Sequence, residues 1–372
     1  MLQFRFNRHK RVVLLLFCGI IKFMKTLVEK INVEQIQSDI MKEAGALIRR
    51  GELVAFPTET VYGLGADALS EEGAKKIYAA KGRPSDNPLI VHIAEFSALD
   101  AITARIPEEA KILADAFWPG PLTMIFQKNE KVPLTTTGGL ETVAVRMPSH
   151  PVALALIREG GGYIAAPSAN TSGRPSPTLA SHVYEDLQGR IPLILDGGPV
   201  GIGLESTIVD LSGDVPMILR PGYITQEMLQ EKIGNVLVDP GLIAADSTQR
   251  PKAPGMKYKH YAPKAQLTLI KGDSAAVVDK IRSLTQEHVQ KGEKVGIIGT
   301  DETLSAYENA VVKNIGSRDD EDAIARHLYA VLREFEEEKV DVIFSEYFDT
   351  PRIGSAIMNR LLKAAGHQVI EV

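Results

Sequence analysis

Cations and hydroxyls, rather than nucleophiles, mark the places where this sequence could do chemistry. Lys81-Gly82-Arg83 runs into Pro84-Ser85-Asp86-Asn87-Pro88, which sets two cations on a loop stiffened by prolines. Fixed cations suit polyphosphate, whose charge must be neutralised in a defined geometry. Thr58, Glu59, Thr60 and Tyr62 lie just ahead of Gly63 and Gly65, so short hydroxyls stand where a small polar ligand could approach. Arg146 interrupts the apolar strand Val143 to Met147. A buried arginine needs an anion, and either a bidentate carboxylate ligand or an internal salt bridge would supply it. His92 sits in the apolar run Leu89 to Ile93, where a lone histidine is more often core than functional. Ser168, Asn170, Ser172 and Ser176 share a stretch whose composition is that of plain turns. Neither Ser168 nor Ser176 has an evident His–Asp partner, so no hydrolase triad is read. Ser206 begins one strand and Arg220 ends another.

Other chemistries are excluded. Cys18 is the single cysteine and lies outside every motif, which removes intrachain disulfides, Cys-based zinc sites and a thiol nucleophile. That usage suits a reducing cytosol. Gly63-Leu64-Gly65-Ala66-Asp67-Ala68 formally fits G-x-G-x-x-A, but the glycines start too far behind the preceding strand and no acidic residue ends a second strand at the required distance. No Walker A sequence occurs. The net charge of -5 gives no global footprint for nucleic acid, although Lys81, Arg83, Arg146, Arg220 and the Lys257-to-Lys264 segment leave room for a local patch.

Taken together, the blocks resemble the YrdC/Sua family of threonylcarbamoyl-adenylate synthases. The likeness rests on Pro57-Thr58-Glu59-Thr60 through Asp67, on Lys81 through Ile93, and on Trp118-Pro119-Gly120-Pro121-Leu122-Thr123, Val145-Arg146-Met147-Pro148 and Pro167-Ser168-Ala169-Asn170. Glu205-Ser206-Thr207-Ile208, Leu219-Arg220-Pro221-Gly222 and Pro254-Gly255-Met256-Lys257-Tyr258-Lys259-His260-Tyr261-Ala262-Pro263 complete it, in family order from about Glu52 to Pro263. The resemblance implies that L-threonine, bicarbonate and ATP, with Mg2+, give threonylcarbamoyl-AMP and pyrophosphate, and that separate transfer proteins carry the group to tRNA. It implies catalytic roles for Lys81 and Arg83, a threonine site of Thr60, His92, Arg146 and Ser206, and an ATP site of Arg83, Asn87, Thr142, Ser168, Ser176, Arg220 and Tyr261. His92, with an ordinary pKa near neutrality, is expected to help keep the threonine amine unprotonated. The Mg2+ ligands stay unassigned; Glu205 and Asp67 are merely nearby carboxylates.

The elements that must position these residues alternate in α/β fashion. Apolar strands are expected at Glu52 to Phe56, Leu89 to Ile93, Leu122 to Gln127, Thr142 to Met147, Tyr163 to Ala166, Leu193 to Leu195, Ser206 to Leu211 and Met217 to Leu219. Helices separate them, one capped by Ser70 with Glu71 and Glu72 in its first turn. From Gln266 five strands alternate with three helices, the rhythm of a small parallel sheet. The division expected is an extension over 1–23, a twisted mixed-sheet YrdC-like catalytic domain over 24–238, a linker over 239–264 and a Rossmann-like domain over 265–372. The extension pairs Arg5, Arg8, Lys10 and Arg11 with an apolar run too short to span a bilayer comfortably, and is read as non-structural rather than as an anchor. A cytoplasmic protein without membrane association is the expectation.

The linker concentrates lysines, His260 and two tyrosines, and is read as a lid over bound ATP; single-domain relatives show that the chemistry does not always need it. Two other readings are weighed. A non-catalytic RNA-binding module would need a basic groove with stacking aromatics, which are sparse in the motif blocks. The carbamoyl transferase of hydrogenase maturation contains a similar domain, but its larger chains carry Cys-rich zinc modules that a single cysteine cannot build.

Overall fold

The computed structural model describes residues 24–242, 253 and 261–372. The expectations for the extension, and for the lid apart from Ala253 and the segment from Tyr261 onward, lie outside the described residues.

The first part of the chain forms an 11-stranded mixed sheet. Its strands are β1 (Leu27–Lys30), β2 (Val54–Phe56), β3 (Gly63–Asp67), β4 (Ile90–His92), β5 (Leu122–Gln127), β6 (Thr142–Arg146), β7 (Ile164–Ala165), β8 (Leu193–Asp196), β9 (Thr207–Asp210), β10 (Met217–Arg220) and β11 (Leu237–Val238). The spatial order is β1-β8-β2-β3-β7-β4-β6-β5-β9-β10-β11. Six helices cover it: α1 (Ser38–Arg49), α2 (Glu71–Lys81), α3 (Glu108–Phe117), α4 (Pro151–Glu159), α5 (Ala180–Leu187) and α6 (Gln226–Ile233).

Alternation along the strands decides which face each residue serves. Val54, Phe56, Leu193 and Leu195 pack with Met41, Ala44 and Ile48 of α1 and with Val152, Leu156 and Ile157 of α4. Their neighbours Ala55 and Ile194 point the other way, into a larger core with α2, α3, α5 and α6.

One segment departs from the sequence reading. Gly63 to Asp67, expected as part of a glycine-bearing loop, is a strand paired antiparallel with β2, Val54 opposite Gly65 and Phe56 opposite Gly63. The glycines serve packing. A Cβ on Gly65 would stand 2.9 Å from Cε1 of Phe56 and 2.8 Å from Cγ2 of Ile164. Periodicity cannot reveal a strand in which glycine replaces the side chains that would carry the pattern. β1 and β11 are two further strands beyond those expected; β1 is a largely exposed edge strand with no apolar run to flag it.

The second sheet has five parallel strands: β12 (Gln266–Lys271), β13 (Val295–Gly299), β14 (Val311–Asn314), β15 (Val342–Glu346) and β16 (Val369–Glu371), in the order β14-β13-β15-β12-β16. Helix α7 (Ser274–Gln290) packs on one face. Helices α8 (Glu321–Glu338) and α9 (Gly354–Ala364) pack on the other, in a core that also takes in Val61, Leu204 and Tyr261. The two halves therefore share a continuous apolar contact. No helix among the described residues is long and apolar enough to cross a membrane.

Candidate active site

The strand register assembles the centre of the site. β4 and β6 run parallel with His92 beside Arg146, and β5 runs antiparallel to β6 with Thr123 beside Arg146 on its other side. Arg146 is nearly fully buried. Its Nη1 donates to Thr60 Oγ1 at 2.9 Å and its Nε to Gly120 O at 3.3 Å. Its Nη2 stands 2.7 Å from Glu59 Oε1, out of hydrogen-bonding alignment. Both readings of this arginine thus survive: it has an internal counter-ion, and it faces a pocket. Thr60 is held in place by Thr58, whose Oγ1 lies 2.8 Å from Thr60 Oγ1 and accepts from the backbone N–H groups of Thr60 and Val61.

His92 is buried, and its Nδ1 donates to Ile90 O at 3.1 Å; a carbonyl only accepts, so Nδ1 carries the proton. Burial, with Arg146 alongside, pulls its pKa down to about 3. A ring that weakly basic takes protons poorly at neutral pH, which runs against the expected help in keeping the amine unprotonated.

Lys81 and Arg83 flank the end of α2. Ser70 caps the start by accepting from Gly73 N, and Gly82 ends the helix in the left-handed region with Arg83 N bonded to Tyr78 O. Lys81 stays on the inner face, where Nζ donates to Ser168 O, and to Asn170 O at 2.5 Å. Burial, then Arg83, lowers its pKa well below the usual lysine value. Arg83 turns back on its own loop, donating from Nη2 to Pro88 O at 3.1 Å. Burial brings its pKa down to about 10, which still leaves it charged.

Ser206 and Arg220 meet across the β9–β10 hairpin. Arg220 donates from Nε to Ser206 O at 3.0 Å and from Nη2 to Ser206 Oγ at 3.1 Å, while Thr123 Oγ1 lies 2.8 Å from the same hydroxyl. Ser168 donates to Asn170 Oδ1 at 2.6 Å, the turn chemistry that its composition suggested.

One pocket brings together Thr60, Lys81, Arg83, His92, Arg146, Ser168, Ser206, Arg220 and Tyr261. Three residues assigned to ATP by resemblance do not line it. Ser176 is fully buried and donates to Glu205, Asn87 is buried with its side-chain oxygen unpaired, and Thr142 stands at the far end of β6 from Arg146. Thr58, Ser172 and Gly173 join the lining. Glu205 does so too, as the pocket's carboxylate. Burial alone would raise its pKa, but Arg360 and Arg220 outweigh that and hold it at about 2. Glu205 stands two residues ahead of β9, and the sequence marks it only as a nearby carboxylate in a motif block, because its partners Tyr329 and Arg360 lie 124 and 155 residues away.

Among the described residues no cluster of three acidic, histidine or cysteine side chains could hold a metal. Glu205 is already engaged by protein donors, and Asp67 caps the turn to Leu69 outside the pocket. Among the described residues, Glu205 and Asp67 therefore do not form a resident Mg2+ site.

Comparison with known proteins follows the same lines. A family model named for Sua5, YciO and YrdC, and described as telomere recombination, matches residues 46–222; a second, described as threonylcarbamoyl-AMP synthase, C-terminal domain, matches residues 224–366. A Bacillus subtilis (strain 168) protein named threonylcarbamoyl-AMP synthase is 54% identical over 88% of this chain and 93% of its own length. A Pyrococcus abyssi (strain GE5 / Orsay) protein of the same name is 49% identical over 92% and 99%. The crystal structure of P. abyssi Sua5 complexed with L-threonine matches with a TM-score of 0.87 at 46% identity, over 94% of this chain and 100% of that one.

Proposed function

The chain belongs to the Sua5/YciO/YrdC family in its two-domain form, and we propose that its pocket makes threonylcarbamoyl-AMP from L-threonine, bicarbonate and ATP. One observation carries this reading. Among the described residues, one pocket gathers Lys81, Arg83, Arg146 and Arg220 with hydroxyls between them, against two carboxylates, Glu205 in the lining and Glu59 beside Arg146. That excess of positive charge suits a site shared by an amino-acid carboxylate, a carbonate and a triphosphate.

In the reaction, the threonine nitrogen, as the free amine after losing its ammonium proton to solvent, attacks the bicarbonate carbon; the N–C bond forms, the C–OH bond breaks, and the hydroxyl leaves as water with an N–H proton. A carbamate oxygen then attacks the α-phosphorus; the bond to the β-phosphate oxygen breaks and pyrophosphate departs. Arg146 and Thr60 take the threonine carboxylate and Ser206 its polar end, with His92 a neutral wall beside them. Arg83, Ser168, Arg220 and Tyr261 face the nucleotide. Lys81 acts through the Ser168–Asn170 backbone that it holds. Asn87, Thr142 and Ser176 lie outside the lining and are given no contact with substrate. Mg2+ travels with the ATP phosphates as part of that substrate. The chain's part is positioning and charge stabilisation.

The product is a mixed anhydride whose threonylcarbamoyl group is ready for transfer, so cytoplasmic tRNA-modifying proteins are its natural consumers. The test is pyrophosphate release with each substrate omitted in turn. Release that needs threonine, bicarbonate and ATP together supports the reading. Threonine-independent release, or RNA binding with no turnover, overturns it.

A further inference from the structure

The C-terminal domain reaches the pocket through polar side chains as well as apolar ones. Arg360 of α9 is completely buried. It donates from Nε to Glu205 Oε2 at 3.0 Å, from Nη2 to Glu205 O at 3.2 Å and from Nη1 to Pro221 O at 2.7 Å. Tyr329 of α8 donates to the same Glu205 Oε2 at 2.8 Å, and Ser176 donates to Oε1 at 2.5 Å. Alongside, Arg326 holds Gly201 O at 3.1 Å and Arg333 holds Pro175 O at 2.6 Å. Gly203 lets the loop lie directly on α8, because a side chain there would collide with the backbone of Ala325. The three segments gripped from behind, near 175, 201–206 and 221, carry Ser176, Ser206 and Arg220.

We propose that Arg360 is the positioning residue through which the C-terminal domain fixes the nucleotide side of the pocket, by neutralising Glu205 and holding the Pro221 carbonyl. Glu205 lines the pocket in which a triphosphate must sit. An uncompensated carboxylate there repels phosphate, whereas Arg360 balances it from the side away from the ligand. The held carboxylate orients Ser176, and the held carbonyl follows Arg220 directly in the chain. A buried ion pair is a poor source of stability, since an apolar pair of similar volume often does as well. The geometry points instead to specification of the site. This inference rests on the reading that the pocket takes ATP.

The test measures equilibrium ATP binding, with the pyrophosphate assay and thermal melting beside it. Arg360→Met should weaken ATP about tenfold or more while threonine binding changes less than about twofold. Adding Glu205→Gln should recover most of the loss, because the repelling charge is gone. Unchanged ATP affinity, an equal loss for both substrates, or a double variant no better than the single overturns the proposal. Should Arg360→Met fail to fold, Tyr329→Phe removes only one donor to Glu205 and should weaken ATP about threefold; no change there also overturns it. Failure of the functional reading looks different: the unaltered chain itself then gives no threonine-dependent pyrophosphate. Direct ATP binding still judges the coupling in that case.

Discussion

Glu59 Oε1 lies 2.7 Å from Arg146 Nη2, yet neither atom has an aligned hydrogen bond. Arg146 thus has a counter-ion on one side and a bond to Thr60 on the other, and in the role proposed for it an incoming carboxylate would compete with Glu59. Arg146→Ala should raise KM for threonine about ten- to a hundredfold, the worth of a charge-assisted bond, with a much smaller effect on KM for ATP. Arg146→Lys should recover only part, because a lysine cannot reach Thr60 and Gly120 together as a fork does. An unchanged threonine KM in the folded alanine variant removes the assignment.

His92 makes a pH prediction. Its folded pKa of about 3 lies below the unfolded value of 6.5, so between these limits the unfolded chain binds the extra proton. Stability is therefore fully present above about pH 6.5 and declines as the pH falls toward 3, by about 1.4 kcal/mol per unit for one such group. His182, brought to about 4 by burial and Arg333, adds to the trend. Urea midpoints at pH 7, 5.5 and 4.5 should fall steadily, and His92→Gln should give a shallower decline. An equal slope in that variant would show that His92 is accessible to protons in the folded state.

Lys81 separates two roles that a rate alone would confuse. Its Nζ is spent on the carbonyls of Ser168 and Asn170, the turn that presents Ser168 to the pocket. Lys81→Met leaves those carbonyls unpaired and should cost about 1–3 kcal/mol in folding while also weakening ATP use. A variant with full stability and lost turnover would mean that the lysine leaves the carbonyls for phosphate during the reaction.

What the sequence disclosed follows from how far each signal reaches along the chain. Ser70, Glu71, Glu72 and the apolar runs act within a few residues, so α2, β5 and the alternation of the second domain are legible. Arg146 announced itself as a charge inside an apolar strand. The strand β3 stayed hidden because Gly63 and Gly65 yield their volume to Phe56, a contact that composition cannot show. Glu205 is visible in its motif block as a nearby carboxylate, but its part is not, because that lies in Arg360 and Tyr329, far along the chain. Lys81 was recognised as important, but its backbone partners were not, since carbonyls leave no mark in a sequence.

Tyr261 joins the end of the linker to this arrangement. It sits in the left-handed region at φ 63, nearly buried, and the chain beyond it is tied down by Ala262 N bonding to Gly173 O at 3.0 Å. Its ring stacks on that of Tyr329 with centroids 5.2 Å apart and planes inclined by 28°. The same residue lines the pocket with Arg83 and Arg220. On the proposed reading, a ring fixed on one side by Tyr329 offers the nucleotide a rigid surface on the other, and rigidity reduces the entropy lost on binding. Tyr261→Ala should therefore raise KM for ATP about tenfold, the scale of one lost aromatic contact, with little change for threonine. Tyr261→Phe keeps the stacked ring and should stay within about threefold of the parent, the scale of one net hydrogen bond. If the phenylalanine variant loses as much as the alanine one, the hydroxyl and not the ring faces the nucleotide. If neither variant changes KM for ATP, Tyr261 only anchors the linker to the C-terminal domain.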